Sequence, residues 1–279
     1  MARSFDTVLI ANRGVIAVRI IRACREAGLK TVQAYSSADA DTLPVRMADE
    51  AVLIGGPKPA ESYLNTGALL QAAAQAGAGA VHPGYGFLSE NADFADAVVA
   101  AGLVYIGPQA EIIRMMGDKV RARQCAKQAG VPVIPGSEGV VSTEAEALAV
   151  AAEIGYPVLI KAAAGGGGRG MRVAQDASEL RDKLAGAMNE AQAAFGSREV
   201  YLEKFLERIR HIEVQVAGDG NEVIHLGDRD CSIQRRHQKL LEEGPAVALD
   251  HALQEEIRLS ARTLAASIGY RNVGTVEFI

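Results

Sequence analysis

The chain has 279 residues, 49% of them hydrophobic and 23% charged, with a formal net charge of −5. This is the composition of an ordinary soluble protein of about two domains, and it lacks the global basic field that would make nucleic acid a principal ligand. Its three cysteines, Cys24, Cys125 and Cys231, are widely separated and form no C-x-x-C pair, which argues against a disulfide framework and for a reducing cytoplasm. The first apolar run gives way to Asn12 and Arg13 within a few residues, too short for a signal peptide or a spanning helix, so no membrane association is expected.

The stretch "TVLIANRGVIAVRIIRACREAGLKTVQAYS" reads as a short apolar strand, a turn at Asn12-Arg13-Gly14, an amphipathic helix closed at Gly28, and a second strand. That is a βαβ unit, with one glycine in its first turn where dinucleotide binding needs three, so a structural parallel sheet is the better reading. Alternating alanine-rich helices and short strands continue to about Pro108, which implies a doubly wound α/β domain. A linking helix over about 110–129 follows, closed by Gly130 and the proline-containing "VPVIPG".

Beyond about Ser142 the pattern changes. A helix leads to the strand "YPVLIKAAA", a glycine run, the strand "MRVAQ", and a helix from Ser178 to about Phe195 that Asp176 and Glu179 can cap. The strand "EVYLEKFL" comes next, then an alternating stretch with a turn at "GDGN", a helix ending at Gly269, and "GTVEFI", a strand for which no partner is legible.

The glycine run is the most informative segment. Gly165, Gly167 and Gly170 formally fit G-x-G-x-x-G, but a dinucleotide fingerprint opens a helix, whereas these glycines precede a strand. A P-loop needs Lys and then Ser or Thr after its last glycine, and this chain has Met171 and Arg172. What remains is a hairpin tip between two strands, whose backbone N–H groups can close over phosphate oxygens, with Lys161 beside it as a point charge. A flexible linker is the rival reading, opposed by the apolar strands on both sides.

Lys119 in "MGDKVRA", Lys161 in "IKAAAGGGGRGM", "EKFL", "RHIEVQV" and "RDCSIQRRHQK" occur in that order, and "IANRG", "HPGYGFLSEN" and "YIGP" precede them. Together they resemble the biotin carboxylase family of ATP-grasp enzymes, and the resemblance covers essentially the whole chain. It implies an N-terminal doubly wound, Rossmann-like domain over 1–109 and an incomplete ATP-grasp domain over 110–279, with a glycine-lid subdomain at about 135–205. It also implies that Lys119 and Lys161 bind ATP phosphates under Gly167 and Gly168, with Met171 adjacent. Glu203, Lys204, Phe205 and Leu206 would line the adenine, and His211, Gln234 and His237 would complete the nucleotide site. Lys239 would serve bicarbonate, and Glu277 would be the first of two carboxylates for Mg²⁺ (or Mn²⁺). Cys231 is expected to be an inert thiol.

The activity so implied is ATP- and bicarbonate-dependent carboxylation of carrier-bound biotin through carboxyphosphate, as in acetyl-, propionyl- or similar acyl-CoA carboxylases. The implied partners are a biotin carboxyl carrier domain, a carboxyltransferase component and a second copy of the chain. The second metal carboxylate and the asparagine and arginines of the bicarbonate and biotin sites have no match within the 279 residues, so this polypeptide alone is expected not to complete the reaction. Val15 stands where the family usually has glutamate, and Gly244 and Val247 where alanine and proline are more usual. A carbamoyl-phosphate-forming ATP-grasp ligase and a non-catalytic nucleotide- or partner-binding fragment are the rival readings.

Overall fold

The structure is a computed structural model that describes residues 4–162, 171–235 and 238–279, apart from the side chains of Lys119 and Phe195. It divides into two compact units, Met1–Arg114 and Met115–Ile279.

In the first unit, β1 (Thr7–Ile10), α1 (Gly14–Glu26), β2 (Lys30–Ser36), α2 (Leu43–Met47), β3 (Glu50–Gly55), α3 (Thr66–Gln75), β4 (Ala80–His82), α4 (Ala92–Ala100) and β5 (Val104–Tyr105) follow in order. The strands form a parallel sheet in the order β3-β2-β1-β4-β5, the doubly wound layer expected from the alternating pattern. Strand β1 is buried throughout because both faces of the sheet are covered. Val8 and Ile10 pack with Ala17, Ile20 and Ile21 of α1, while Leu9 points the other way, towards Leu69 of α3 and Phe94 and Val98 of α4. After β1, the Asn12 amide donates to the carbonyls of Pro83 and Tyr85, each at 2.7 Å. That ties together the ends of the two strands between which the strand order reverses.

Helix α5 (Ala110–Gly117) crosses from one unit to the other, and α6 (Lys119–Gln128) follows after a single residue. The one linking helix expected over about 110–129 is therefore two. Asp118 explains the break: its carboxylate accepts from the amides of Val120 and Arg121, which starts a new helix rather than continuing the old one.

The second unit continues with α7 (Glu144–Ile154), β6 (Val158–Ala162), β7 (Arg172–Ala174), α8 (Ala177–Phe195), β8 (Val200–Lys204), β9 (Ile212–Asp219), β10 (Val223–Arg235), β11 (Gln238–Glu243), α9 (His251–Ser267) and β12 (Arg271–Phe278). It holds two antiparallel sheets, β7-β6-β8 and β11-β10-β9-β12. Asp176 caps α8 as expected, accepting from the amides of Ser178 and Glu179. "GTVEFI" was expected to lack a partner; instead β12 pairs with β9 along its whole length.

In both sheets the period-2 alternation divides structure from chemistry. Val158, Ile160 and Ala162 of β6 and Val200 and Leu202 of β8 pack beneath α7 and α8, so Lys161, Tyr201 and Glu203 fall on the opposite face. Val214 and Val216 of β9 and Val276 and Phe278 of β12 pack with Ala261 and Ala265 of α9, so Glu213, Gln215 and Glu277 fall on the opposite face. No helix among the described residues is long and apolar enough to cross a membrane.

Candidate functional site

On the face of β6 and β8 away from the helices, the Lys161 ammonium lies 2.5 Å from Glu203 Oε2 and 5.9 Å from the centroid of the Tyr201 ring. Both charged side chains are largely withdrawn from solvent, at 23% and 14% exposure. The register places Lys161 opposite Tyr201 and Leu159 opposite Glu203, so the pair is a diagonal contact of the sheet. Lys204 turns the other way. Its ammonium donates to the carbonyls of Gly155 and Tyr156, at 3.1 and 2.6 Å, where it satisfies the C-terminal end of α7. The amides of Lys204 and Phe205 are already bonded to the carbonyls of Pro135 and Pro157, whereas Leu206 is exposed.

The second cluster crosses the four-stranded sheet. Glu277 on β12 is in register with Glu213 on β9, Glu213 with Arg229 on β10, and Gln234 on β10 with Lys239 on β11. The strand pairings thus bring residues far apart in sequence into one row. Arg229 Nη2 lies 2.6 Å from Glu213 Oε1. The Lys239 ammonium bonds Glu213 Oε2 and lies 2.6 Å from Glu277 Oε1. Glu213 is the buried member, its side chain 6% exposed, against 61% for Glu277.

Burial alone would push the Glu213 carboxyl up, but the hydrogen bonds from Lys239 and Arg229 outweigh it and hold the group below the usual carboxylate range. For Lys239, burial works against the charge. The hydrogen bonds to Glu213 and Glu277 prevail and raise it above the ordinary lysine value. A lysine so held stays an ammonium at neutral pH. It can anchor an anion, and it cannot serve as a general base.

Glu213, Cys231 and Glu242 bring potential metal-ligand atoms within 4.8 Å of one another. Both oxygens of Glu213 are engaged by Arg229 and Lys239, which leaves that carboxylate no oxygen free of a cation. Burial, helped by the Glu213 carboxylate, pushes the Cys231 thiol up to about 11, so the sulfur is neutral at pH 7 and a poor nucleophile. Glu277 presents an exposed carboxylate, a hard oxygen donor suited to Mg²⁺ when phosphate and water oxygens complete the shell.

The structure therefore brings Lys161 to Glu203, and Lys239 to Glu277. The remaining expected positions are dispersed along the neighbouring backbone. The His211 amide donates to Ser232 Oγ at 3.0 Å, and its carbonyl accepts from the Cys231 amide at 2.7 Å. Gln234 donates to the Cys231 carbonyl at 3.0 Å, and Met171 immediately precedes β7. Lys119 is the first residue of α6. Gly167, Gly168 and His237, and the Lys119 side chain, lie outside the described residues. Glu213 and Arg229 do not stand out in the sequence. The available signal is the alternation in "HIEVQV", which puts a charged residue opposite an apolar face.

Residues 4–113 match the family described as biotin carboxylase, N-terminal domain, and residues 118–279 match carbamoyl-phosphate synthase L chain, ATP binding domain. The biotin carboxylase of Pseudomonas aeruginosa is 54% identical over 276 residues, covering 98% of this chain and 62% of that protein. Biotin carboxylase 1 of Bacillus subtilis is 54% identical over 274 residues, covering 98% of this chain and 61% of that one. Among solved structures, the biotin carboxylase–β-γ-ATP complex from Campylobacter jejuni aligns with TM-score 0.93 at 48% identity, over 98% of this chain and 62% of that one. The biotin carboxylase domain dimer of Hydrogenobacter thermophilus 2-oxoglutarate carboxylase, in complex with MgADP, ADP and bicarbonate, aligns with TM-score 0.91 at 48% identity, over 99% and 61%. The chain thus spans about three fifths of the length of these relatives.

Proposed function

The chain belongs to the biotin carboxylase family, of which it carries the N-terminal and ATP-binding domains, and from that premise we propose that it forms the nucleotide-binding part of an ATP-dependent ligase that carboxylates carrier-bound biotin. The observation that carries the reading is the pair of charge clusters on the sheet faces turned away from α7 and α8 and from α9: Lys161 with Glu203, and Lys239 between Glu213 and Glu277. An ATP- and bicarbonate-using enzyme has to neutralise a triphosphate and hold a small anion beside it, and catalysis of phosphoryl transfer is largely positioning and charge neutralisation.

In this reading Lys161 and Lys119 hold the phosphates, Gly167 and Gly168 close over them beside Met171, and Glu203, Lys204, Phe205 and Leu206 receive the adenine. His211, Gln234 and His237 lie along the nucleotide. Lys239 presents a permanent positive charge to bicarbonate, and Arg229 and Glu213 fix that ammonium in place. Glu277 supplies one oxygen to Mg²⁺ or Mn²⁺, which when bound screens the phosphate charge. Residues 1–109 form the N-terminal domain and 110–279 the ATP-grasp part, with the lid subdomain at about 135–205. A biotin carboxyl carrier domain, a carboxyltransferase component and a second copy of the chain are the partners proposed with this activity; the related Hydrogenobacter thermophilus domain is a dimer.

The 279 residues are proposed to bind nucleotide without sustaining turnover, because Mg²⁺ usually takes more than one carboxylate and the resemblance matches only Glu277 to that role. Calorimetric titration with MgATP tests the site: Lys161→Ala is expected to weaken binding about tenfold or more, the loss of a charge-assisted contact, and unchanged affinity would remove Lys161 from it. A carbamoyl-phosphate-forming ligase is favoured only by the description of the domain matched over 118–279. Stimulation of bicarbonate-dependent ATP cleavage by free biotin in the full-length protein separates the two, since only the carboxylase responds.

A further inference from the structure

Arg123 stands one helical turn into α6. Its Nη2 donates to the Gly136 carbonyl at 3.2 Å, while Nε and Nη1 are buried with no hydrogen-bond partner among the described residues. Leaving two guanidinium donors dry and unpaired is costly, so an acceptor is to be expected in some state of the molecule.

The surroundings indicate which acceptor. Gly136 bridges to Glu203 in an antiparallel pairing. A Cβ on Gly136 would lie 2.5 Å from Arg123 Nη1, 2.4 Å from the Leu202 carbonyl oxygen and 3.1 Å from Glu203 Cα. Only a glycine there lets the guanidinium come this close to β8 at the Glu203 position. The Tyr201 phenol feels both charges: burial pushes it up, the Glu203 carboxylate adds to that by its charge and a hydrogen bond, and Arg123 opposes it. Another carboxylate near Arg123 is Glu138, which is 78% exposed and already bonded to Lys127. Glu203 is 14% exposed and held by Lys161.

We propose that Glu203 exchanges cations when nucleotide enters: Lys161 leaves the carboxylate for the phosphates, and Arg123 takes its place. This rests on the reading of Lys161 as a phosphate ligand. If Lys161 left with nothing to replace it, a nearly buried carboxylate would be stranded, and removing one member of a buried pair is far more costly than the pair itself is favourable. Arg123 offsets that cost. The phosphate-dependent part of nucleotide affinity then runs through a residue that touches no nucleotide.

The test is calorimetric titration of the chain with MgATP and with adenosine, which has no phosphate to draw Lys161 away, for the unmutated protein, Arg123→Met, Glu203→Gln and the double variant. Arg123→Met is expected to weaken MgATP about tenfold, the size of one charge-assisted hydrogen bond, and to leave adenosine unchanged. In the Glu203→Gln background the same substitution is expected to have no effect on MgATP, because no charge is left to balance. Equal weakening of both ligands, no weakening, or the same weakening whether or not Glu203→Gln is present would each overturn the exchange. Should Arg123→Met unfold, Arg123→Gln, which keeps a donor for the Gly136 carbonyl and loses the charge, replaces it with the same expectations. If the unmutated chain takes up no MgATP, or Lys161→Ala binds it equally well, the nucleotide site falls and the exchange with it; if Lys161→Ala weakens MgATP and the Arg123 and Glu203 effects simply add, the exchange alone falls.

Discussion

Glu213 is the residue on which the charged row depends. It is buried, it accepts from Arg229 and Lys239 at once, and its carboxyl is held below the usual range by those bonds. A carboxylate depressed in the folded state contributes stability that is present above its unfolded value, about 4.3, and is lost as pH falls through the folded value. Lys239 is raised, so its contribution is present below about 10.4 and fades as pH rises further. Glu213→Gln is therefore expected to destabilise the protein by about 1–3 kcal/mol near neutrality, with the difference from the unmutated chain shrinking at both extremes. Urea unfolding at a series of pH values measures it, and a difference independent of pH would contradict the assignment. Lys161, Lys239 and Glu277 were legible in their motifs, whereas Glu213 and Arg229 were not. Which of several charged residues converge depends on strand register, and Glu213, Arg229 and Glu277 meet only through pairings between β9, β10 and β12.

At the level of elements, helix α1 begins without help. Its N-cap, Arg13, makes no side-chain capping bond, and its first turn holds no acidic residue. Val15 in that turn is 81% exposed, an apolar side chain where the partial positive charge of the helix terminus favours a carboxylate. Val15→Glu is expected to stabilise the protein by about 0.3–1 kcal/mol at low salt, and the gain should fade as salt is added. Thermal melts at two ionic strengths decide it, and a lower melting temperature in the variant would contradict the capping argument. The elements that were legible here are those with local signals: the βαβ repeat, the cap at Asp176, the turn after β9. The two that differed were set by other things. The linking helix breaks because Asp118 binds its own following amides, a competition that propensity summed over about twenty residues hides. Strand β12 finds β9 across more than fifty residues, and no local pattern reports a long-range pairing.

At the scale of the whole molecule, the chain divides into two compact units. Both charge clusters lie in the unit Met115–Ile279, on the sheet faces turned away from α7 and α8 and from α9. The first unit contributes a parallel sheet whose strand ends are tied by Asn12. The chain spans about three fifths of the length of its curated relatives, and nucleotide binding is the property proposed for these residues. The most direct measurement is a crystal structure of the chain with a non-hydrolysable MgATP analogue. The account predicts the triphosphate within hydrogen-bond reach of the Lys161 ammonium, with that ammonium drawn off Glu203, and the metal on Glu277. A nucleotide bound elsewhere, with Lys161 still paired to Glu203, would contradict it.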